Sequence, residues 1–166
     1  ASATELAAVQ SAPLADIAEH VLDVSDNEAA EVLGHHVGLA TSGTGSFAAG
    51  AAGVKETLAG WGIDTGRLRL YDGSGLSRHN RVSTSTLLAV LRRAAGDQGA
   101  ELRSVVTGLP VAAFTGSLTY RFDTVPKVAR GTVRAKTGTL TGVHALAGLV
   151  TGRDGVVKVF VIAADK

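Results

Sequence analysis

Lys136-Thr137-Gly138-Thr139 gathers an ammonium, two hydroxyls and a bare Cα into four consecutive residues. The tetrapeptide falls inside a β-branched stretch, Val133–Leu140, where side chains alternate between faces. Thr137 and Thr139 therefore share a face, and Gly138 has no side chain to block a ligand. An edge strand of that composition can hydrogen-bond a peptide backbone and anchor a carboxylate. The same four residues also occur in an ordinary solvated strand with a glycine near a bulge. A second cluster, Ser25-Asp26-Asn27, offers a hydroxyl, a carboxylate and an amide. Ser, Asp and Asn are the preferred N-cap residues, so the cluster taken alone needs no chemical role.

Other candidates are weaker. Gly43-x-Gly45-x-x-Ala48 matches a relaxed dinucleotide fingerprint, with Asp64 at a plausible distance. A helical pattern precedes it where the fingerprint needs a strand, which favours a Gly-rich helix connection. His35 and His36 are sequence neighbours without the four-residue spacing that puts two imidazoles on one metal, and His20, His79 and His144 add no metal pattern. Asp72-Gly73-Ser74-Gly75 is a turn cluster, and Asp72 occupies the position where a Gly-x-Ser-x-Gly nucleophile elbow would have its first glycine.

The elements that must position these groups follow from periodicity and punctuation. Residues 5–10 form a short apolar stretch compatible with a strand. Pro13 then opens a helix with Leu14, Ile17, Val21 and Leu22 on one buried face. Ser25 and Glu28 have capping-box spacing and predict a second helix carrying Ala30, Leu33 and Val37, so Ser25-Asp26-Asn27 lies at a helix junction. A Gly, Ser and Thr loop at 41–46 precedes a third helix with Phe47, Val54 and Leu58, ending near Gly60. Residues 67–71 alternate like a half-exposed strand. Thr84 caps a helix striped by Leu87, Leu88, Leu91 and Ala95 and stopped at Gly96. Residues 97–131, with Pro110 and Pro126, read as irregular. Val133–Leu140, Val143–Thr151 and residues 156–163 read as three strands, the last two joined by Gly152-Arg153-Asp154-Gly155. Helices first and an antiparallel run of strands last predict an α+β fold with no repeat and no interdomain linker. A sheet that continues into further chain is also expected, since the last strand ends within a few residues of Lys166.

Composition narrows the function classes. The chain has 166 residues, 45% of them apolar and 19% charged, without a run of apolar residues near eighteen. That describes about one globular domain, neither a membrane span nor a disordered tail. Sixteen Lys plus Arg against 15 Asp plus Glu give a net charge of +1, so no broad basic face is available for phosphates and no nucleic-acid partner is expected. The absence of Cys removes disulfides and thiolate chemistry. With no Met and no basic-then-apolar leader, residue 1 is not expected to be a translation start, and the chain is expected to be a processed or excerpted piece.

Ser-Asp-Asn upstream of Lys-Thr-Gly is the pair of motifs used by penicillin-binding proteins and class A β-lactamases. The segment Asp72-Gly73-Ser74-Gly75-Leu76-Ser77-Arg78 sharpens the likeness. It resembles the matching loop of the low-molecular-mass penicillin-binding proteins of the D-alanyl-D-alanine carboxypeptidase class, the peptidase S13 family, also called class C or PBP4-type. The resemblance runs over nearly the whole chain, including Ser-Asp-Asn-Glu-Ala-Ala-Glu at 25–31 and Val-Arg-Ala-Lys-Thr-Gly-Thr-Leu-Thr-Gly-Val at 133–143. It implies a penicillin-binding/β-lactamase-like fold, an antiparallel sheet flanked by helices. Residues 1–166 would be the C-terminal part of the catalytic domain.

The resemblance also implies roles. A serine attacks a peptide ending in D-alanyl-D-alanine, and water then hydrolyses the acyl-enzyme, a course that β-lactams block. Ser25 would relay a proton to the leaving nitrogen, Asn27 would hold a substrate carbonyl and a base lysine, and Lys136 would polarise Ser25 and attract the substrate carboxylate. Thr137 and Thr139 would bind that carboxylate beside Gly138, and the Thr139 N–H would form half of an oxyanion hole. Leu76, Arg78 and Leu140 would recognise the side chain of the peptidoglycan stem peptide; a loop-stabilising salt bridge is an equal reading for Arg78. Asp26 and Asp72 read as structural, capping a helix and closing a turn. No metal or organic cofactor is implied, and the setting would be extracytoplasmic and bacterial. The chain departs from the family at its first motif: no Ser here has a Lys three residues on. A companion N-terminal segment would have to supply Ser-x-x-Lys, and the family's inserted domains are missing as well. The competing expectation is a non-catalytic module that binds peptide or a partner without turnover. A β-lactamase is a third, disfavoured by the Asp-Gly-Ser-Gly-Leu-Ser-Arg loop.

Overall fold

Pro13, with φ −51 and ψ 144, sits just before the first helical residue, where its missing N–H costs nothing, and the helix α1 (Leu14–Val24) begins there. The computed structural model describes residues 4–166 and continues with α2 (Asn27–Ser42), α3 (Phe47–Gly60), α4 (Thr84–Ala95) and the short α5 (Arg103–Thr107). Three strands close the chain: β1 (Val133–Leu140), β2 (Val143–Thr151) and β3 (Val157–Asp165). They form one antiparallel sheet in the order β1-β2-β3, with Lys136 opposite Ala147 and Thr139 opposite His144.

Leu91 of α4, Leu109 and Leu149 of β2 form the core, with Val106, Ala147, Val159 and Val161 packed around them. One face of the sheet is thus covered by α4 and α5. The helices α2 and α3 pack closely against each other through glycines, Gly50 against the Gly34 carbonyl. The helix pair lies beside the turn at Gly73, where a Cβ would meet the Ala30 carbonyl oxygen at 2.5 Å. Only glycine lets that turn reach the helix.

Several sequence expectations change. Residues 5–10 form no strand; Leu6 and Val9 are almost fully exposed, and no described strand lies alongside to complete a ladder. α1 buries no residue completely, although Ile17, Val21 and Leu22 are half-covered. Residues 67–71 contribute a single bridge, Arg69 to Arg81, and no extended strand. The region 97–131 contains α5 and 3-10 turns at Asp97–Leu102, Gly116–Leu118 and Lys127–Ala129, elements too short to show a period. α2 runs to Ser42, which shortens the loop that follows, and α4 is capped by Ser83 one residue before Thr84. The third strand begins at Val157 and ends at Asp165.

The largest local change is at Ser25. The capping residue of α2 is Asp26, whose carboxylate accepts the Ala29 N–H at 2.9 Å. Ser25 instead ends α1 in the left-handed region, φ 61 and ψ 50, with its N–H on the Val21 carbonyl. A residue in that conformation cannot take the extended backbone an N-cap requires.

Candidate active site

The left-handed turn at Ser25 reverses the chain between two helices and aims the serine hydroxyl at the sheet. Lys136 of β1 meets it there: its Nζ donates to Ser25 Oγ at 2.7 Å and to the Thr137 carbonyl at 3.1 Å. The two motifs, 111 residues apart, are joined by one hydrogen bond. Burial withholds water from the ammonium and lowers the Lys136 pKa. An ammonium has donors only, so Ser25 Oγ accepts from it and keeps its own O–H proton for another partner.

A cavity of about 380 Å³ opens beside this pair. Ser25, Asp26, Asn27, Ser74 and Lys136 form its polar wall, and Val21, Leu22, Leu33, Val37 and Val54 its apolar one. Asn27 sits in the first turn of α2, exposed and on the rim.

The edge of β1 changes character at Lys136. Before it, the Ala135 N–H donates to the Pro110 carbonyl and the Val133 carbonyl accepts from the Ala112 N–H, so residues 110–112 cover that side. These two bonds show that the odd-numbered residues turn their N–H and C=O groups away from β2. By the same parity Thr137 and Thr139 present their backbone groups to the outer edge, among the described residues an open one. The Thr139 N–H is therefore available to an incoming carbonyl oxygen. Gly138 and Thr139 are exposed and Thr137 is half-buried.

Arg78 is exposed and donates from Nη1 to the Thr141 carbonyl at 2.6 Å, tying the 72–78 loop to the β1–β2 turn next to Leu140. The contact is to a backbone carbonyl, so the salt bridge expected as one reading of Arg78 is not formed among the described residues. Leu76 on the same loop is about half exposed, and Leu140 ends β1 opposite Val143. Asp72 closes its own turn, accepting from the Gly75 N–H, the Ser77 N–H and the Asn80 side chain.

Two residues escaped the sequence reading. Glu31, one turn beyond Asn27 on the same face of α2, accepts from the Gly73 N–H at 2.7 Å and the Ser74 N–H at 3.1 Å, and takes the Ser74 hydroxyl at 2.5 Å. Its carboxylate thus fixes the loop carrying Leu76 and Arg78 to the helix carrying Asn27. The i, i+4 spacing from Asn27 to Glu31 was the available signal. Ser117 gave none; its hydroxyl lies 3.3 Å from Thr137 Oγ1, in a turn with no periodicity.

Comparison with known proteins gives the family of this chain. The family model described as D-Ala-D-Ala carboxypeptidase 3 (S13) matches residues 1–166. A protein named carboxypeptidase DacB from Mycolicibacterium smegmatis is 42% identical over 98% of this chain and 36% of its own length. A D-alanyl-D-alanine carboxypeptidase from Actinomadura is 41% identical over 87% of this chain and 27% of its own length. The crystal structure of penicillin-binding protein 4 from Haemophilus influenzae, complexed with a β-lactam, superimposes with a TM-score of 0.84 at 35% identity, over 92% of this chain and 35% of that one. The chain spans about a third of the length of these relatives. Helices flanking an antiparallel sheet are the penicillin-binding/β-lactamase-like architecture expected from the sequence. With the family model matching from end to end, this chain belongs to the D-Ala-D-Ala carboxypeptidase 3 (S13) family.

Proposed function

We propose that residues 1–166 supply half of the active site of a serine-type D-alanyl-D-alanine carboxypeptidase. The other half, a Ser-x-x-Lys segment, would come from a companion N-terminal stretch of the same protein, this chain being the C-terminal part of the catalytic domain. The observation that carries the reading is the 2.7 Å bond from Lys136 Nζ to Ser25 Oγ at the mouth of the cavity.

The chemistry follows from the groups present. A peptide ending in D-alanyl-D-alanine lies against the open edge of β1. Its carboxylate meets the Thr137 and Thr139 hydroxyls and the Lys136 charge, and its scissile carbonyl oxygen meets the Thr139 N–H, with Asn27 on the rim holding the preceding carbonyl. The companion serine attacks the carbonyl carbon and gives its proton to the companion lysine. That proton passes to Ser25 as Ser25 releases its own to the departing D-alanine nitrogen, so Lys136 keeps its charge throughout. Water then attacks the acyl-serine ester along the same path, which releases the shortened peptide as its carboxylic acid and returns a proton to the companion serine. A β-lactam follows the first half and stalls. Leu76, Arg78 and Leu140 border the position of the stem-peptide side chain. Peptidoglycan as substrate would put the protein outside the cytoplasm of a bacterium. A cross-link in which the D-alanine carbonyl is joined to a side-chain amine of the neighbouring stem peptide, beside a free carboxylate, would be cut by the same steps with that amine as leaving group.

The test is acylation of the complete protein by a fluorescent penicillin. Lys136→Ala should slow labelling by more than about a hundredfold, the loss expected when a charge aimed at the transition state is removed, while the thermal melt shows a folded protein. Labelling of the folded variant at near wild-type rate refutes the reading.

A further inference from the structure

Among the described residues, Ser117 is the one exposed hydroxyl that touches the Lys-Thr-Gly strand and has no role in the reaction just described. It sits on a 3-10 turn, Gly116–Leu118, between α1 and β1. The turn is held from several sides. Gly116 has φ 50 and lies so close to the Asp23 backbone carbonyl, two residues before Ser25, that no Cβ would fit. Leu118 is fully buried, and its carbonyl accepts the Ala113 N–H at 3.1 Å. The Thr119 hydroxyl closes back on the Gly116 carbonyl at 2.9 Å. A hydroxyl on so constrained a turn is placed by the fold and loses little freedom when a ligand binds.

Thr137 Oγ1 donates to Ser117 Oγ at 3.3 Å. Two hydroxyls in contact hold two protons and use one between them. With Thr137 donating, the Ser117 O–H proton is left pointing to solvent, where the substrate carboxylate arrives. Without Ser117, the Thr137 hydroxyl would have no fixed orientation. A carboxylate has two oxygens and four lone-pair directions, so on its arrival Thr137 can turn its proton from Ser117 to the carboxylate, and Ser117 adds its own donor to those of Thr137 and Thr139.

We infer that Ser117 is a specificity-determining residue that donates its hydroxyl to the terminal carboxylate of the substrate. Together with Thr137 it makes the site selective for peptides with a free carboxyl end. The inference rests on the carboxypeptidase reading above.

The experiment compares kcat and KM of the complete protein on a peptide ending in D-alanyl-D-alanine and on the same peptide with its C-terminus amidated. Wild type should prefer the free acid. Ser117→Ala should raise KM for the acid about tenfold, the fold-change of one hydrogen bond to a charged group, with kcat little changed and the amide unaffected. The acid-to-amide preference then shrinks by the same factor. Ser117→Thr, which keeps the hydroxyl, should restore it. A merely structural role would move both peptides alike. An unchanged acid-to-amide ratio in Ser117→Ala overturns the inference while leaving the carboxypeptidase reading intact. A wild-type protein that cleaves neither peptide overturns that reading and this inference with it.

Discussion

Ser25 is asked to do two things that a pair of substitutions separates. It holds a left-handed backbone, φ 61 and ψ 50, and its hydroxyl receives the Lys136 ammonium at 2.7 Å. For a residue with a Cβ the left-handed conformation costs about 1–2 kcal/mol. Glycine escapes that cost but gives up about 0.4–1 kcal/mol to the greater freedom of the unfolded chain. Ser25→Ala and Ser25→Gly both lose the hydroxyl, so their difference isolates the backbone: Ser25→Gly should be the more stable by about 0.8 kcal/mol. Relative to wild type both lose the bond to a half-buried ammonium, about 1.5 kcal/mol at the lower end for a charged partner. Neither loses a helix cap, because Asp26 provides it. Turnover should follow a different pattern, since the proposed proton path ends in both variants. The assay is urea denaturation of the complete protein beside penicillin labelling. Ser25→Ala more stable than Ser25→Gly by about 0.4–1 kcal/mol, the entropy difference alone, would show that the turn stores no strain. Wild-type labelling by Ser25→Gly, with its backbone relaxed and its hydroxyl gone, would show that Ser25 serves only as a chain reversal.

Two further outcomes follow from neighbouring residues. Burial holds the Lys136 pKa below its ordinary 10.5, so between the folded value and 10.5 the unfolded chain binds more protons than the folded one. Stability should therefore rise with pH across that window, and denaturation midpoints should show the rise in wild type and a flatter profile in Lys136→Met. Glu31→Ala removes the acceptor of the Gly73 and Ser74 N–H groups. Amide exchange there should accelerate roughly thirtyfold, as a loss of about 2 kcal/mol implies, and unchanged protection would mean that Glu31 does not hold the loop.

The helices and strands that show a period were legible in the sequence; the groups that meet across the fold were legible only as separate motifs. β1 and β2 begin and end where β-branched alternation places them. α1, α2 and α3 follow their apolar spacing, although the junction at Ser25 reads as a capping box and is a left-handed turn with Asp26 as the cap. A capping-box pattern looks the same whether its first residue or its second takes the extended backbone, and the choice is made by the end of α1, where the Ser25 N–H closes on the Val21 carbonyl. Residues 97–131 hid Ser117 for another reason: single turns hold too few residues to show a period, and their geometry is set by contacts with Asp23 and β1 that lie far away in the sequence.

The same distinction explains why the site is assembled as it is. The proposed proton relay through Ser25 requires its hydroxyl to accept from one side and donate to the other, and neither the position of Lys136 nor the orientation of Ser25 is a local property. α1 delivers Ser25 to the junction, the left-handed turn aims it, and the antiparallel register places Lys136 opposite Ala147 with its ammonium under that hydroxyl. Slipping β1 by one residue would turn Lys136 to the other face and bring a threonine or an alanine under Ser25. Neither could donate the charged hydrogen bond. The register is held where the chain is least regular, by the bonds of residues 110–112 to Val133 and Ala135. The irregular segment therefore determines which residue of β1 meets the serine, and through it whether the two motifs form a site at all.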